Sequence, residues 1–215
     1  MSVTTRIRTF FQQARDSLVL SGFAKTDGPM GKLVAGVGAL YLLVMIVLAI
    51  WWSAAPPAFD MTTKTQDYSA TSGQPLVPGS ATTLALIEVI DTLLEKDGGY
   101  THNDLLPPGL FIDNMPNWEY GVLVQSRDLA RALREVLSRS QSQSREDVDL
   151  TLAEPRINFQ SDSWILPASE REYRSANKYL KAYLARLPEK GPEGARFYAR
   201  ADNLGFWLGM IEKRL

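Results

Sequence analysis

A run of 20 residues without a charged side chain, from Leu33 to Trp52, constrains this sequence more than any other feature. An α-helix rises about 1.5 Å per residue, so the run is roughly 30 Å long, which matches the hydrocarbon core of a bilayer. Gly36 and Tyr41 lie within it, and Trp51 and Trp52 close it, as is typical of side chains at the headgroup level. The run therefore predicts a membrane-spanning helix over residues 31–53.

Two other interpretations of the run remain open. A secretory signal peptide would have an apolar core of about 7–15 residues nearer the start of the chain. Here the core is longer and follows 32 residues, although an alanine-rich stretch after it would permit cleavage. A buried helix of a soluble core is the third interpretation, and the length of the run disfavours it.

The distribution of basic residues predicts the orientation of this helix. Five basic residues precede it, whereas Lys64 alone is basic among the 24 residues after Ala55. Basic residues accumulate on the cytoplasmic side of membrane helices. We therefore expect a protein of the bacterial inner membrane, with a cytoplasmic N-terminus and a periplasmic C-terminal domain. The five residues are Arg6, Arg8, Arg15, Lys25 and Lys32.

Two features near the span suggest contacts with lipid or with other helices. Residues 1–30 form a cytoplasmic amphipathic segment, in which Phe10 and Phe11 share one face of a helix predicted over 3–20. This face would lie on the membrane surface or pack on a partner subunit. Gly31, Ala35 and Ala39 recur every four residues, a spacing that lets membrane helices approach closely. This spacing would permit a homo-oligomer or pairing with another membrane protein, although small residues are also common in membrane helices that do not associate.

The remainder of the chain predicts an all-α domain behind a linker. Residues 54–79 are rich in Pro, Thr, Ser and Gly and predict a periplasmic tether, although Phe59, Tyr68, Leu76 and Val77 could instead dock on the domain. Residues 80–215 show apolar residues at helical spacing in about four main helices. These helices span roughly 81–96, 118–139, 169–187 and 195–215.

The last two helices show the clearest periodicity. One has Tyr173, Ala176, Leu180, Tyr183 and Leu187 on its seam, after an apparent capping box of Ser169 and Glu172. The other repeats Phe197, Ala201, Leu204, Leu208, Ile211 and Leu215. A short link between two such seams predicts a helical bundle that ends in an antiparallel helical hairpin.

Composition excludes several kinds of chemistry. The chain has no cysteine and one histidine, so it has no thiolate nucleophile, no Cys-ligated zinc, no iron–sulfur cluster and no multi-histidine metal site. Phosphate-binding and nucleophile-elbow motifs are absent. The net charge is −1, which does not favour nucleic acid as a partner. We expect no catalytic residue, no cofactor and no metal.

Two side chains are the best candidates for acid–base chemistry. His102 is two residues from Asp104, a potential carboxylate partner for a general base. Glu119 lies between Trp118 and Tyr120, and aromatic rings of this kind stack on sugars. For both, the sequence favours a structural role: a loop histidine and a glutamate in the first turn of a helix.

Two polar clusters are candidate faces for an anion or a protein partner. Arg127, Arg131 and Arg134 share one face of a helix, although Glu135 can pair with Arg131 and a solvated face is the favoured interpretation. Arg200, Asp202 and Asn203 lie in a segment dense in aromatic residues. They would fix loops by hydrogen bonding or form a recognition face.

Two segments carry a resemblance to a known family. One is Asp162-Ser163-Trp164-Ile165-Leu166-Pro167, and the other is Phe197-Tyr198-Ala199-Arg200-Ala201-Asp202-Asn203-Leu204. With the N-terminal anchor, they resemble the bacterial family called domain of unknown function 2333. The resemblance implies a single-pass inner-membrane protein and supplies no catalytic residues. It also implies more helix after the stretch that ends here at Leu215.

These observations favour a non-catalytic accessory subunit or adaptor of a larger envelope complex. Its partners would be membrane lipid and other membrane or periplasmic proteins. A carboxylate-dependent hydrolase acting on peptidoglycan or glycan is one alternative, since such an enzyme needs only Asp and Glu. A module that binds anionic lipid through its arginines is another.

Overall fold

The computed structural model describes residues 28–140 and 145–213, and nearly all of the predicted cytoplasmic segment 1–30 lies outside them. The chain divides into two compact units, Met1–Leu48 and Ala49–Leu215. All seven long elements of the described residues are α-helices. The all-α class predicted from the sequence is thereby confirmed.

Helix α1 spans Pro29–Trp52. The described part of the first unit consists of Gly28 and the residues of this helix up to Leu48. Among the described residues it is the one helix long and apolar enough to cross a membrane. Leu33 and Leu40 are more than half exposed, as expected for side chains that would face lipid. Ala35 and Ala39 are exposed, so the predicted association face stays a prediction.

Residues 61–72 of the expected tether form a helix, α2, Met61–Ser72. The Asp60 carboxylate accepts hydrogen bonds from the backbone N–H groups of Thr62 and Thr63, which caps the helix. Gly73 ends it in the left-handed conformation, with φ of 67°. These two capping signals were overlooked because α2 has no apolar stripe.

Helix α2 is docked on the second unit. Tyr68 and Val77 pack against the hydrophobic core, in agreement with the alternative arrangement considered above. Lys64 forms an ion pair with Glu88 at 2.7 Å, and the Gln74 amide donates to the carbonyl oxygen of Ala185 at 3.2 Å. The linker between α1 and the core is therefore part of the folded body.

Four helices build the core: α3 (Ser80–Glu95), α4 (Asn114–Ala132), α5 (Val148–Ile157) and α6 (Ser169–Arg186). Helix α3 packs between α4 and α6, and α5 packs on both α4 and α6. Their apolar stripes are buried as the spacing predicts. Buried side chains include Leu84, Ile87, Ile90 and Leu94 of α3 and Tyr173, Ala176, Leu180 and Tyr183 of α6.

Several helix boundaries differ from those predicted. The second helix was predicted to begin at about residue 118, whereas α4 begins at Asn114. Ser80 is the first residue of α3, and its hydroxyl accepts from the Val77 N–H. The Ser169 hydroxyl donates to the carbonyl oxygen of Gln160 instead of forming a capping box. Polar residues near a helix start can bond to loops as readily as to the first turn, and sequence alone does not separate the two.

The predicted C-terminal hairpin is wrong. The last helix, α7 (Ala201–Glu212), packs against α4 and not against α6. The segment before it is extended, because the Tyr183 hydroxyl donates to the Arg196 carbonyl oxygen and the Tyr198 N–H donates to that of Leu137. These bonds direct the chain away from α6 and toward the π-helical turn Leu133–Leu137, which follows α4 directly.

Helix α7 has no buried residue. Trp207 and Met210 are partly buried against the core. Leu204, Phe206 and Leu208 are 48%, 43% and 52% exposed, although the sequence predicted a buried seam through Leu204 and Leu208. The helix thus contacts the body on one side and leaves apolar side chains uncovered on the other.

Candidate functional site

A buried ion pair organises the irregular segment 96–113 between α3 and α4. The side chain of Glu119 in α4 is 0% exposed, and the Lys96 ammonium lies 2.5 Å from its Oε1. Lys96 itself is 2% exposed in its side chain and also donates to the carbonyl oxygen of Gly99. Burying two charges is tolerated only when they are paired and hydrogen-bonded, as they are here.

The Glu119 carboxylate also binds the backbone of this segment. It accepts from the Thr101 N–H at 2.9 Å and 3.0 Å, from the Thr101 hydroxyl at 2.9 Å and from the His102 N–H at 2.6 Å. Its oxygens thus face donors within the protein and no solvent. This geometry fits the structural role favoured by the sequence, although Glu119 holds a loop and does not lie in the first turn of α4.

His102 is likewise engaged by its surroundings. Its Nδ1 lies 3.1 Å from the carbonyl oxygen of Pro116, so Nδ1 carries a proton that it donates. Its ring stacks on Tyr120, with centroids 5.5 Å apart and planes at 17°. Burial raises the pKa of the nearby Asp104 carboxyl, and the negative charges of Glu119 and Glu170 raise it further. These contacts fix the His102 ring as part of the loop.

The segment 96–113 is joined to a second irregular segment, 158–168, between α5 and α6. The Asn103 amide donates to the Ser163 carbonyl oxygen at 2.8 Å and to Glu170 at 3.0 Å. The Tyr100 hydroxyl donates to the Ser161 carbonyl oxygen at 2.9 Å. The bases of the two segments are therefore tied together.

Both segments expose large apolar side chains, which we call the apolar loop pair. Phe111 is 77% exposed and Leu166 is 82% exposed, although neither is near a chain terminus. The full set is Leu105, Leu106, Leu110, Phe111, Trp164, Ile165 and Leu166. Their exposure was not predicted from the sequence.

The last turn of α1 belongs to the second unit and contacts the start of the segment 96–113. The Trp51 indole donates to the Asp97 carboxylate at 3.0 Å. Trp52 packs on Gly98, whose φ of 82° requires glycine, and a Cβ there would lie 2.7 Å from the Trp52 ring. The two tryptophans are thus held against the segment that carries half of the apolar loop pair.

A second apolar surface lies between α3, α4 and α7. It is a groove of about 520 Å³ without a charged residue in its lining. A hollow of about 250 Å³ beside Pro56–Phe59 shares Val89, Trp118 and Val122 with it, so the two are adjacent. We call them together the apolar groove; its main part is lined by Ala85, Leu86, Val89, Trp118, Gly121, Val122, Gln125, Ser126, Leu129 and Trp207.

The three arginines of the predicted anion face have partners within the protein. Arg127 donates through Nε to the Ile157 carbonyl oxygen at 2.9 Å and through Nη2 to that of Phe159 at 2.6 Å. The Ile157 carbonyl is an orphan acceptor at the C-terminal end of α5, which a cation there satisfies, and Phe159 follows that end by two residues. Arg127 therefore secures the end of α5.

The other two arginines of this stripe form ion pairs. Arg131 pairs with Glu135 at 3.1 Å across one helical turn, in solvent. Arg134 bridges Glu146 at 3.0 Å and Glu154 at 2.9 Å, which links α4 to α5. These partners agree with the solvated, structural interpretation of the stripe.

The residues of the second predicted cluster, Arg200, Asp202 and Asn203, have two separate roles. Arg200 binds Asp202 through Nε at 3.0 Å and Nη2 at 2.6 Å, in solvent. The Asn203 amide donates to the carbonyl oxygens of Val136 at 3.1 Å and Tyr198 at 3.0 Å. Asn203 thus fastens α7 to the π-helical turn, because that turn leaves the Val136 acceptor available.

Within residues 28–140 and 145–213, no group of three or more His, Asp or Glu side chains is placed to hold a metal ion. The sequence-based expectation of no cofactor and no nucleic-acid partner stays a prediction.

Comparison with known proteins identifies the family. A family model described as an uncharacterised protein conserved in bacteria, DUF2333, matches residues 26–215. The chain belongs to this family. No curated protein and no solved structure matches the chain significantly. The resemblance inferred from the sequence is confirmed.

Both segments that resembled the family have defined places in the structure. The segment around Trp164 forms one half of the apolar loop pair, where the Ser163 hydroxyl donates to the Pro167 carbonyl oxygen at 2.8 Å. The segment around Arg200 makes the crossing to α4 and begins α7. In this chain, the first of these segments is therefore part of an exposed surface, and the second positions α7.

Proposed function

We propose that this chain is a single-pass protein of the bacterial inner membrane and a non-catalytic accessory subunit or adaptor of an envelope complex. Support for the anchor comes from the length and apolar surface of α1. Support for a cytoplasmic N-terminus and a periplasmic body comes from the five basic residues before α1, against Lys64 alone in the 24 residues after Ala55.

The apolar groove carries the proposal of an adaptor role. It has a volume of about 520 Å³, within the range of specific binding sites, and is bounded by three helices. Its lining holds two tryptophans, Trp118 and Trp207, of the residue type enriched at interaction hot spots. The occupant that fits is an amphipathic helix of a partner protein, because an uncharged groove between helices accepts an apolar helix face.

The polar chemistry of the body supports a non-catalytic role. The Glu119 carboxylate is fully covered and bonded to four donor groups. The His102 ring is stacked and bonded to a backbone carbonyl. Both groups that the sequence offered as acid–base candidates therefore take part in the structure of the segment 96–113.

Site-specific photo-crosslinking in intact cells tests the adaptor role. A photoreactive residue replaces Gln125, which is exposed and lines the apolar groove, and a matched control replaces Lys178, which is exposed on α6. We expect one defined adduct from position 125 and none from position 178. Mass spectrometry should map the adduct to a partner segment with apolar residues at helical spacing.

A blocking variant makes this test specific. Gly121→Arg places a charged side chain at the groove, where a Cβ meets no neighbouring atom, so folding is preserved. It should abolish the adduct from position 125. No adduct, equal adducts from both positions, or an adduct that survives Gly121→Arg would contradict the proposal.

The orientation has its own test. The chain has no cysteine, so Lys178→Cys creates a unique thiol. In intact cells with a permeabilised outer membrane, a membrane-impermeant maleimide should label it. Labelling only after lysis of the inner membrane would refute a periplasmic body.

A further inference from the structure

We propose that the apolar loop pair inserts into the periplasmic face of the membrane that holds α1, with zwitterionic lipid as its ligand. The seven side chains of this surface are 46% to 82% exposed. Large exposed apolar surface is typical of sites that bind protein or membrane. The inference rests on the single-pass topology proposed above and is independent of the apolar groove.

Continuity with the membrane helix identifies the occupant. Trp51 and Trp52 are the last two residues of α1. If α1 spans the membrane, this end of the helix lies at the headgroup level. They contact Asp97 and Gly98, where the segment with the apolar loop pair begins. Leu105 follows Asp97 by eight residues, so even a fully extended chain would put it within about 28 Å of the headgroup level.

The buried ion pair holds this segment in place. Thr101 and His102 are bound by the Glu119 carboxylate, and Asn103 is bound to the second segment. The apolar side chains therefore protrude from a fixed base. Leu, Ile, Phe and Trp on a fixed surface are the composition of peptides and loops that lie in the membrane interface.

Charge distinguishes this surface from one that seeks anionic lipid. Residues 105–111 and 163–168 contain no charged residue. The nearest charged neighbours in sequence are acidic: Asp104, Asp113, Asp162 and Glu170. Anionic headgroups would repel these carboxylates, so insertion should be driven by apolar burial and should not require anionic lipid.

Single-cysteine labelling of the full chain in proteoliposomes tests the insertion. Leu106→Cys, Phe111→Cys and Leu166→Cys place a polarity-sensitive fluorophore on the apolar loop pair, and Lys178→Cys places it on exposed α6. The vesicles are phosphatidylcholine with phosphatidylethanolamine. We expect blue-shifted emission at the three loop positions, quenched by brominated lipid and not by aqueous iodide. The label at position 178 should show no blue shift and should be quenched by aqueous iodide and not by brominated lipid.

Two results would overturn the insertion. Loop labels quenched by iodide as strongly as the control would show a surface in water. Loop labels protected from both quenchers would show a surface covered by protein. A requirement for anionic lipid before brominated lipid quenches the labels would likewise refute a zwitterionic ligand.

The failure of the anchor is distinguishable from the failure of the insertion. Release of the unlabelled protein from the vesicles by alkaline carbonate would refute the single-pass topology, and the insertion with it. Protein that resists carbonate while its loop labels remain in water would refute the insertion alone. Resistance to carbonate together with quenching by lipid supports both.

Discussion

Removing the Glu119 carboxylate should destabilise the second unit strongly. Glu119→Ala leaves the buried Lys96 ammonium without its counter-ion and takes the acceptor from Thr101 and His102. Breaking a buried ion pair by removing one partner costs about 3–5 kcal/mol, and each unsatisfied donor costs about 1–3 kcal/mol. Water entry limits the sum, so we expect a loss of about 4 kcal/mol, a large part of the roughly 5–15 kcal/mol of a typical domain.

The assay is urea unfolding of the purified full chain in a mild detergent, followed by near-ultraviolet circular dichroism. Glu135→Ala is the matched control, since it breaks the exposed pair with Arg131 and should change the unfolding free energy by no more than about 0.5 kcal/mol. A loss below about 1 kcal/mol for Glu119→Ala would refute the assigned role of the buried pair, because that value is typical of exposed pairs.

A double-mutant cycle isolates the charge pairing itself. Lys96→Met and Glu119→Gln each remove one charge and keep most of the side-chain volume. Because each single variant strands the other charge, the double variant should lose at least about 1 kcal/mol less than the sum of the two. Strict additivity would show that Lys96 and Glu119 do not interact in the folded protein.

Three further predictions concern local features. Gly79→Ala should cost about 2–4 kcal/mol in urea unfolding, because φ is 94° and a Cβ would overlap the Phe197 ring, whereas Gly73→Ala, with φ of 67° and open space, should cost about 1 kcal/mol. Burial raises the pKa of Asp104. This carboxyl therefore stabilises the folded state below its unfolded pKa of about 3.9, and that contribution is lost as pH rises through its folded pKa. Asp104→Asn should therefore raise the stability near pH 7, as measured by thermal melts over a series of pH values. Arg127→Gln should lower the unfolding free energy by about 1.5–3 kcal/mol, since it removes two charge-assisted bonds to the end of α5, and faster amide exchange there would report it.

Local periodicity was sufficient to predict the core helices. Leu84, Ile87 and Ile90 in α3, and Tyr173 and Leu180 in α6, recur at helical spacing and are buried. Such spacing defines an apolar stripe within one element without reference to any other part of the chain. The all-α class could therefore be predicted from sequence.

The pairing of helices could not be predicted in the same way. The seam through Leu204 and Leu208 has the same spacing as that of α6, yet both side chains are about half exposed. The difference arises from the Tyr198 N–H, which donates to the Leu137 carbonyl oxygen and redirects the chain. A backbone hydrogen bond between residues 61 positions apart in sequence leaves no periodic signal.

The buried pair was missed for a related reason. Glu119 was recognised as a notable carboxylate because of its aromatic neighbours, whereas Lys96 follows an ordinary amphipathic helix and gave no signal. Their approach to 2.5 Å depends on how α3 and α4 pack. Capping of α2 by Asp60 and Gly73 was different, since both signals are local and were available in the sequence.

The docking of α2 has a consequence for how the body would find its partner. A flexible linker of the 24 residues 56–79 would let the attached domain move over a radius of about 25–30 Å from the end of the membrane helix. Because α2 is capped at both ends and held by Lys64 and Gln74, the linker itself does not provide this free length. Under the proposed topology, encounters would then depend on lateral diffusion in the membrane plane, and a partner anchored in the same bilayer would meet the body at a high effective concentration.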